Sequence, residues 1–236
     1  MTLLRLCSIR KSYGRGRGEV TVLRGASLTV HRGSLVAIYG DRSSGKTTLL
    51  RIAAGFDPPD AGRVAFEGAR AGDSADRATG GIGWVVRGGP RSDLPTVRDH
   101  VALPLYRALG PRQARNRALA ALAALGVDAC ADARWSDLAD VERTLCATAQ
   151  ALVREPALLI ADAPTAGLGV ADRDLVVRVL RSLAEDHGLG VLIAVPDVSS
   201  TLLCHDTLAL SGGRLLSAAV RPRGADVVPL LPRRSA

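Results

Sequence analysis

The chain has 236 residues, 47% of them hydrophobic and 23% charged, so it is long enough to build one large core or two small ones. No apolar run approaches the roughly 20 residues that span a bilayer, and the start Met1–Arg5 lacks a secretory apolar stretch, which predicts a cytoplasmic protein. The net charge of +8 lies almost entirely on arginine, and with 3% aromatic residues there is no stacking platform, so no nucleic-acid partner is expected.

The first part of the chain predicts strands. Residues 3–9 and 20–38 alternate apolar and polar positions, which predicts strands of a small β layer. Residues 63–67 and 82–86 predict two further strands, separated by a polar loop rich in glycine, aspartate and arginine.

A phosphate-binding loop is predicted inside this part. The apolar run Leu35–Tyr39 is typical of a buried strand, and Leu49–Ala54 is typical of a helix. The segment between them fits the pattern G-x-x-x-x-G-K-[ST], and the predicted loop includes one further residue. Its residues are Gly40, Asp41, Arg42, Ser43, Ser44, Gly45, Lys46, Thr47 and Thr48. A strand before this pattern and a helix after it are the context that indicates a P-loop rather than a glycine-rich turn.

The residue types of this loop suit phosphate chemistry. Gly40 and Gly45 let the backbone approach an anion without a Cβ in the way, and successive N–H groups then point inward. The helix that starts near Gly45 adds its positive dipole end. Lys46 is predicted to reach the β- and γ-phosphates, and the Thr47 hydroxyl to bind Mg²⁺.

The second part of the chain alternates helices and buried strands. Residues 99–150 are helical and rich in alanine, with the clearest helix over Ala114–Leu125, ending at Gly126. Three further elements are predicted, namely a strand over Ala157–Asp162, a helix over Leu175–Leu183 and a strand over Val191–Val195. This alternation favours a parallel sheet covered by helices. The tail from residue 219 is expected to be loosely ordered. The cysteines have no metal spacing, so reduced thiols are expected at Cys7, Cys130, Cys146 and Cys204.

From residue 3 to about residue 215, the order of these motifs resembles the ATP-binding subunits of ABC transporters. The stretch Lys11-Ser12-Tyr13-Gly14, followed by Val22–Gly25, is similar to the branch that exports macrolides and lipoproteins, as is Leu103-Pro104-Leu105. The resemblance implies that Tyr13 stacks on adenine. It also implies that Asp162, at the end of its strand, holds Mg²⁺ through water.

The resemblance implies an α/β fold with a P-loop NTPase (RecA-like) core, a mostly parallel sheet, an N-terminal antiparallel β layer and an inserted α-helical subdomain. It implies a single nucleotide-binding domain over residues 1–236. Within it, residues 1–86 and 151–218 form the core and β layer, residues 87–150 the helical subdomain and residues 219–236 a tail. The implied cofactors are ATP and Mg²⁺. The implied partners are a membrane permease and a second ATP-binding subunit, in a homodimer or heterodimer on the inner face of the cell membrane.

Three departures from the family pattern fall on the groups that would face the γ-phosphate. Where the family has a glutamine that serves Mg²⁺ and the attacking water, this chain has Arg87, and a guanidinium has no acceptor. The glutamate that polarises water is Ala163, and the histidine that senses the γ-phosphate is Pro196. Asp197 then follows as in the family, which fixes the register. No catalytic residue is therefore intact at these degenerate positions.

Further departures fall where the family contacts a partner subunit. Arg134–Leu138 lines up with the lead-in to the signature segment, but the family's serine and two glycines are Ala139, Asp140 and Val141. A carboxylate about 5 Å from a phosphate, at an effective dielectric near 20, would be repelled by about 3 kcal/mol per unit charge. The aspartate that crosses the dimer interface is Gly169.

Three hypotheses follow from the sequence. The first is an ATP-binding subunit of an ABC-type exporter that binds ATP–Mg²⁺ and hydrolyses it poorly or not at all. The second is a nucleotide-sensing pseudo-ATPase that regulates a partner without driving transport. The third, an unrelated P-loop kinase or GTPase, is disfavoured because no acceptor-binding lid with phosphate-clamping arginines can be identified.

Overall fold

The computed structural model describes residues 1–14, 16–67, 81–85 and 94–217. Within these ranges the chain forms nine strands: β1 (Thr2–Tyr13), β2 (Val20–His31), β3 (Leu35–Tyr39), β4 (Ala61–Phe66), β5 (Ile82–Val85), β6 (Leu158–Asp162), β7 (Gly190–Val195), β8 (Asp206–Ser211) and β9 (Arg214–Ser217). The same ranges contain five α-helices: α1 (Lys46–Ala53), α2 (Val97–Ala102), α3 (Pro111–Ala124), α4 (Asp140–Leu152) and α5 (Val170–His187). Among the described residues, no helix is both long enough and apolar enough to cross a membrane.

The strands form two sheets. The smaller is antiparallel, with three strands in the order β2-β1-β4. The larger has six strands in the order β5-β6-β7-β3-β8-β9, and its neighbours are parallel except for the antiparallel pair of β8 and β9. This arrangement confirms the predicted α/β fold with a mostly parallel sheet and an antiparallel N-terminal layer. Because consecutive parallel strands are joined by helices on the faces of the sheet, β3, β6 and β7 are buried along nearly their whole length.

The prediction that residues 20–38 lie wholly in the small β layer is wrong at its end. The chain leaves β2 after His31, turns at Arg32–Ser34, and enters the larger sheet as β3. The alternating pattern belongs to β2, whereas Leu35–Ile38 is buried on both faces. Half-buried and fully buried strands adjoin in the sequence there, and apolar content alone did not separate them.

Helices are predicted correctly but too short. Over the predicted helix 114–125, α3 begins earlier, at Pro111, whose fixed φ and missing N–H suit the first helical turn. Over 175–183, α5 extends to His187 and ends at Gly188 with φ 66°. Exposed polar residues at helix ends weaken the apolar periodicity there, so the sequence pattern underestimates the length.

The segment between β5 and β6 packs α2, α3 and α4 against one another, and a buried carboxylate links α2 to α3. Asp99 is 4% exposed and accepts hydrogen bonds from Thr96 Oγ1 (2.7 Å), Arg115 Nε (2.6 Å) and the Tyr106 hydroxyl (3.1 Å). Burial raises the pKa of Asp99, but these hydrogen bonds outweigh it and hold the pKa below its ordinary value. The charge is thus paired, which is the condition for a buried carboxylate in a stable core.

Candidate functional site

The phosphate loop leaves β3, a strand flanked by β7 and β8, and ends at the start of α1. At Gly40 a Cβ would lie 2.4 Å from the carbonyl oxygen of Leu210, so only glycine fits. Gly45 has φ 101°, and a Cβ there would lie 2.8 Å from Val22 Cγ1. Both glycines are therefore required by close approach of neighbouring chain segments, independently of any ligand.

The Lys46 amine lies inside the curve of this loop. Its Nζ donates to the carbonyl oxygens of Gly40 (2.6 Å) and Asp41 (2.8 Å) and lies 3.4 Å from the Ser44 hydroxyl. Burial lowers the pKa of the Lys46 amine, although the charges of Asp162 and Asp41 act in the opposite direction. An anion in the loop would exchange neutral carbonyl partners of the ammonium for charged ones, which form stronger hydrogen bonds.

Two oxygen ligands meet next to the loop from distant parts of the chain. The Thr47 hydroxyl, in the first turn of α1, donates to Asp162 Oδ2 at the end of β6 over 2.6 Å. A hydroxyl and a carboxylate are hard donors, and Mg²⁺ is commonly held by one or two such groups together with substrate phosphates and water. The described residues contain no cluster of three or more His, Cys, Asp or Glu that could hold a metal ion. The donor set fits Mg²⁺ shared with a phosphate chain.

Tyr13 lies at the end of β1 and is 44% exposed. It pairs with Val20 of β2, and two residues later Val22 of the same strand packs against Gly45. The Lys11 ammonium lies 5.7 Å from the centre of the tyrosine ring. The ring is therefore accessible to a flat ligand near the phosphate loop, as predicted stacking on adenine requires.

The loops after β6 and β7 leave the same edge of the sheet as the phosphate loop, but begin with apolar residues. Asp162 is level with Ala194 in the parallel pair, and the Ala163 N–H donates to the Ala194 carbonyl oxygen over 2.9 Å. Ala163 has φ 53°, an uncommon conformation for a residue with a Cβ. Pro196 follows β7 directly and is exposed. Neither the side chain of Ala163 nor that of Pro196 can accept or donate a proton.

The start of α4 satisfies one of its N–H groups within the helix. The Ala139 N–H donates to Glu142 Oε2 over 2.8 Å, which is one half of a capping box. Asp140 forms an ion pair with Arg143 Nη1 (2.7 Å), and Arg143 also donates to the Leu138 carbonyl oxygen. Two carboxylates therefore already occupy the positive end of this helix, and an incoming anion meets negative charge there.

Sequence analysis missed a polar network at the carboxyl edge of the sheet. Arg173 Nη1, from the first turn of α5, donates to Ser199 Oγ (2.8 Å) and lies 3.5 Å from Asp197 Oδ1. Asp197 also accepts from the Ser200 N–H at 3.1 Å. Burial raises the pKa of Asp197, but the bonds from Ser199 and Ser200 and the charge of Arg173 bring it below its ordinary value. An aspartate three residues before a serine is a capping signal, whereas no local pattern indicates Arg173.

The structure brings Lys46, Thr47 and Asp162 together, with Ala163 and Pro196 leaving the same sheet edge. Gly169 caps α5 without a side-chain bond. Arg87 lies outside the described residues. The four cysteines, Cys7, Cys130, Cys146 and Cys204, are free thiols, as predicted.

Comparisons with known proteins agree with this geometry. The family model "ABC transporter" matches residues 23–166. A lipoprotein-releasing system ATP-binding protein LolD from Cereibacter sphaeroides is 37% identical over 91% of this chain and 99% of its own length. A macrolide export ATP-binding/permease protein MacB from Syntrophobacter fumaroxidans is 35% identical over 84% of this chain, but over only 29% of its own length. A dimeric ATP-binding cassette in a post-hydrolysis state with ADP and Pi superimposes with a TM-score of 0.80 at 25% identity, over 90% of this chain and 96% of that one. The chain therefore belongs to the ABC transporter family, as an ATP-binding subunit.

Proposed function

We propose that this chain binds ATP–Mg²⁺ as a subunit of an ABC-type exporter and hydrolyses the ATP poorly or not at all. One observation carries the proposal. The groups suited to the α- and β-phosphates and to Mg²⁺ are assembled around Lys46, whereas Ala163 and Pro196 stand at the same edge of the sheet without a reactive side chain.

The binding half of the proposal assigns a role to each preserved group. Tyr13 stacks on the base, the N–H groups of residues 40–48 surround the phosphates, and Lys46 neutralises the β- and γ-phosphates. The Thr47 hydroxyl and the Asp162 carboxylate serve Mg²⁺, the carboxylate through water. Their 2.6 Å contact supports this pairing, because both oxygens already face the same point.

The proposed loss of hydrolysis rests on reactive groups that this chain lacks. A general base contributes about 10²–10⁴-fold to a rate, and the methyl group of Ala163 contributes none of it. Pro196 has neither a polar side chain nor a backbone N–H to offer a γ-phosphate. Arg87 would bring a guanidinium, which cannot ligate Mg²⁺ or accept a proton from water. Since residues of one catalytic unit do not contribute additively, these losses are not multiplied.

The groups that would face a partner subunit are also altered. The start of α4, at Ala139, Asp140 and Val141, would face the nucleotide held by a second subunit, and Gly169 would lie at the dimer interface. Charge repulsion of about 3 kcal/mol per unit charge is expected between Asp140 and a phosphate about 5 Å away, at an effective dielectric near 20. The ion pair with Arg143 offsets part of this repulsion. In a mixed dimer both composite sites are therefore impaired.

The proposed partner subunits are inferred from the names of two relatives. The name of the LolD relative describes an ATP-binding protein of a lipoprotein-releasing system, and that of the MacB relative describes a fused ATP-binding and permease protein. By analogy, this chain docks on a membrane permease at the inner face of the cell membrane. It pairs there with a second ATP-binding subunit, in the manner of dimeric cassettes.

A second candidate is a nucleotide sensor that regulates a partner and never drives transport. The two carboxylates at the start of α4 favour it, because a helix end already occupied by Asp140 and Glu142 is poorly suited to close on a partner's ATP. Calorimetry with ATP and ADP, together with co-purification, separates the candidates. Stable association with a permease supports the transporter subunit, and nucleotide binding without one supports the sensor.

Phosphate release from purified chain tests the central claim. We expect release at the background rate of the Lys46→Ala variant, which lacks the phosphate-loop cation, with thermal unfolding of both proteins to check that the variant folds. Robust turnover that disappears in the Lys46→Ala variant refutes the loss of hydrolysis. Absence of calorimetric ATP binding refutes the binding half separately.

A further inference from the structure

A cavity of about 550 Å³ opens at the amino edge of the large sheet, opposite the phosphate loop. It lies where the chain enters β6 and β7, next to Ala157 and Leu189. The carboxyl-terminal halves of α3 and α5 and the end of α4 form its walls. Buried side chains form its base, among them Val153 and Leu183. Its volume is within the range of about 300–1,000 Å³ that is typical of small-molecule pockets.

Small residues on α3 create this space. The helix buries Ala114, Ala118 and Leu122 against the rest of the chain. A neighbouring face of the same helix carries Ala121 and Ala124, which line the cavity instead of filling it. Larger apolar side chains there would have filled the cavity. The alanines therefore leave an apolar space, here called the chamber, that is open to solvent on one side.

The charged residues that line the cavity are two arginines and one carboxylate, Glu155. Arg117 pairs with Glu155 at 3.0 Å, and Arg32 pairs with Glu67 at 2.8 Å. The arginine side chains are 49% and 45% exposed, respectively. Ion pairs between such exposed groups contribute little to stability, so each guanidinium can exchange its carboxylate for that of a ligand. The fork geometry of arginine favours a planar carboxylate over a point charge.

We propose that this cavity binds an amphiphilic carboxylate, with its alkyl chain in the chamber and its head group on Arg32 and Arg117. A fully charged small anion would gain nothing from the apolar walls. An alkyl ammonium could pair only with Glu155, whereas a carboxylate has two guanidinium groups available among the lining residues. The carboxyl ends of α4 and α5 carry partial negative charge near the chamber, which places the anionic group on the arginine side. The site is separate from the phosphate loop and does not depend on nucleotide binding.

Titration of the full chain with a series of soluble fatty-acid salts tests the proposal. Decanoate, used below its micelle-forming concentration, is expected to bind saturably with one molecule per chain. Octanoate is expected to bind more weakly, by about fourfold for each methylene removed, because each buried methylene contributes similarly. Decylammonium is expected to bind at least about tenfold more weakly than decanoate, because two guanidinium groups and one carboxylate leave the lining with a net positive charge. No saturable binding, or equal binding of decanoate and decylammonium, overturns the proposal.

Substitutions on α3 locate the site. Ala121→Leu and Ala124→Leu fill the chamber and are expected to abolish decanoate binding. Ala123→Leu adds the same side chain on an exposed part of the helix that does not line the cavity, and is expected to leave binding unchanged. Thermal unfolding of all three variants identifies any that fails to fold.

The arginines are tested by Arg117→Gln and Arg32→Gln, which are expected to weaken decanoate binding about tenfold while leaving binding of uncharged decanol unchanged. Equal losses for both ligands overturn the assignment of the head group. Equal decanoate binding by the Ala121→Leu and Ala123→Leu variants overturns the assignment of the cavity.

Discussion

The loop after β3 and the loops after β6 and β7 leave the same edge of one sheet, but their side chains are used differently. In the phosphate loop the Lys46 amine rests on backbone carbonyl oxygens, partners that a phosphate can replace. After β7, the side chains of Asp197 and Ser199 already form hydrogen bonds to one another and contacts with Arg173. After β6, Ala163 offers no polar group.

Binding a nucleotide and hydrolysing it depend on different groups. Binding needs glycines with room for an anion, one cation and two oxygen ligands for Mg²⁺, and these lie within the phosphate loop and at Asp162. Hydrolysis needs a proton acceptor and a proton donor on the neighbouring loops, and a helix start on a partner subunit that can contact the γ-phosphate. In this chain the two sets of groups differ, so one can be altered while the other stays assembled.

The largest effect is expected from restoring every altered group at once. The combined variant carries Arg87→Gln, Ala139→Ser, Asp140→Gly, Val141→Gly, Ala163→Glu, Gly169→Asp and Pro196→His. We expect its phosphate release to rise by about 10²–10⁴-fold over the unchanged chain, since a general base alone contributes that much in a complete site. Ala163→Glu by itself is expected to stay at background, because groups that act as a unit do not contribute separately. Full activity from the single substitution would show that the other losses are harmless.

The second-largest effect is expected from a change in the phosphate loop, whose residues match the family pattern. Lys46→Ala is expected to weaken ATP binding by about 10- to 150-fold, since hydrogen bonds to charged groups contribute about 1.5–3 kcal/mol. Arg181→Ala also removes one positive charge, from a side chain on α5 that pairs with Glu185 at 2.8 Å, and is expected to change affinity far less. Calorimetry measures both variants. Equal losses would show that the loop acts only through overall charge.

A third prediction concerns the stability of the segment that contains the altered start of α4. Asp99→Ala leaves the Tyr106 hydroxyl and the Thr96 side chain without their acceptor, so we expect it to lower the free energy of unfolding by about 1–3 kcal/mol at pH 7. Urea unfolding measures this loss, with Asp99→Asn as the control that keeps the shape and removes the charge.

The pH dependence of the same carboxylate has a definite sign. Because the pKa of Asp99 is lower in the folded chain than in the unfolded one, its contribution is present above the unfolded pKa. It is lost as the pH falls through the folded pKa. We expect Asp99→Asn to flatten the loss of stability in acid, and an unchanged acid profile would contradict the assignment.

The smallest effect concerns thiol reactivity around the altered loops. Burial raises the pKa values of Cys146, on α4, and Cys204, before β8, to about 12. At pH 8 only about one such thiol in 10⁴ is ionised, so both are expected to resist maleimide in the folded protein. Mass spectrometry after labelling measures this, with urea-unfolded chain as the reference in which all four cysteines react. Rapid labelling of Cys146 or Cys204 in the folded chain would show that the altered region is less firmly packed than the phosphate loop.

Sequence alone determined the phosphate loop, because the strand, the glycine-bounded turn and the helix are contiguous and follow from local backbone preferences and apolar periodicity. The resemblance to the family indicated the substitutions at Ala163 and Pro196, and the buried strands before them fixed their positions. Only the tertiary structure decided that Thr47 meets Asp162 across 115 residues, that Arg173 bonds to the loop after β7, and that alanines of α3 leave a chamber open. Those contacts depend on how helices and sheets pack against one another, and no local pattern of residues encodes that packing.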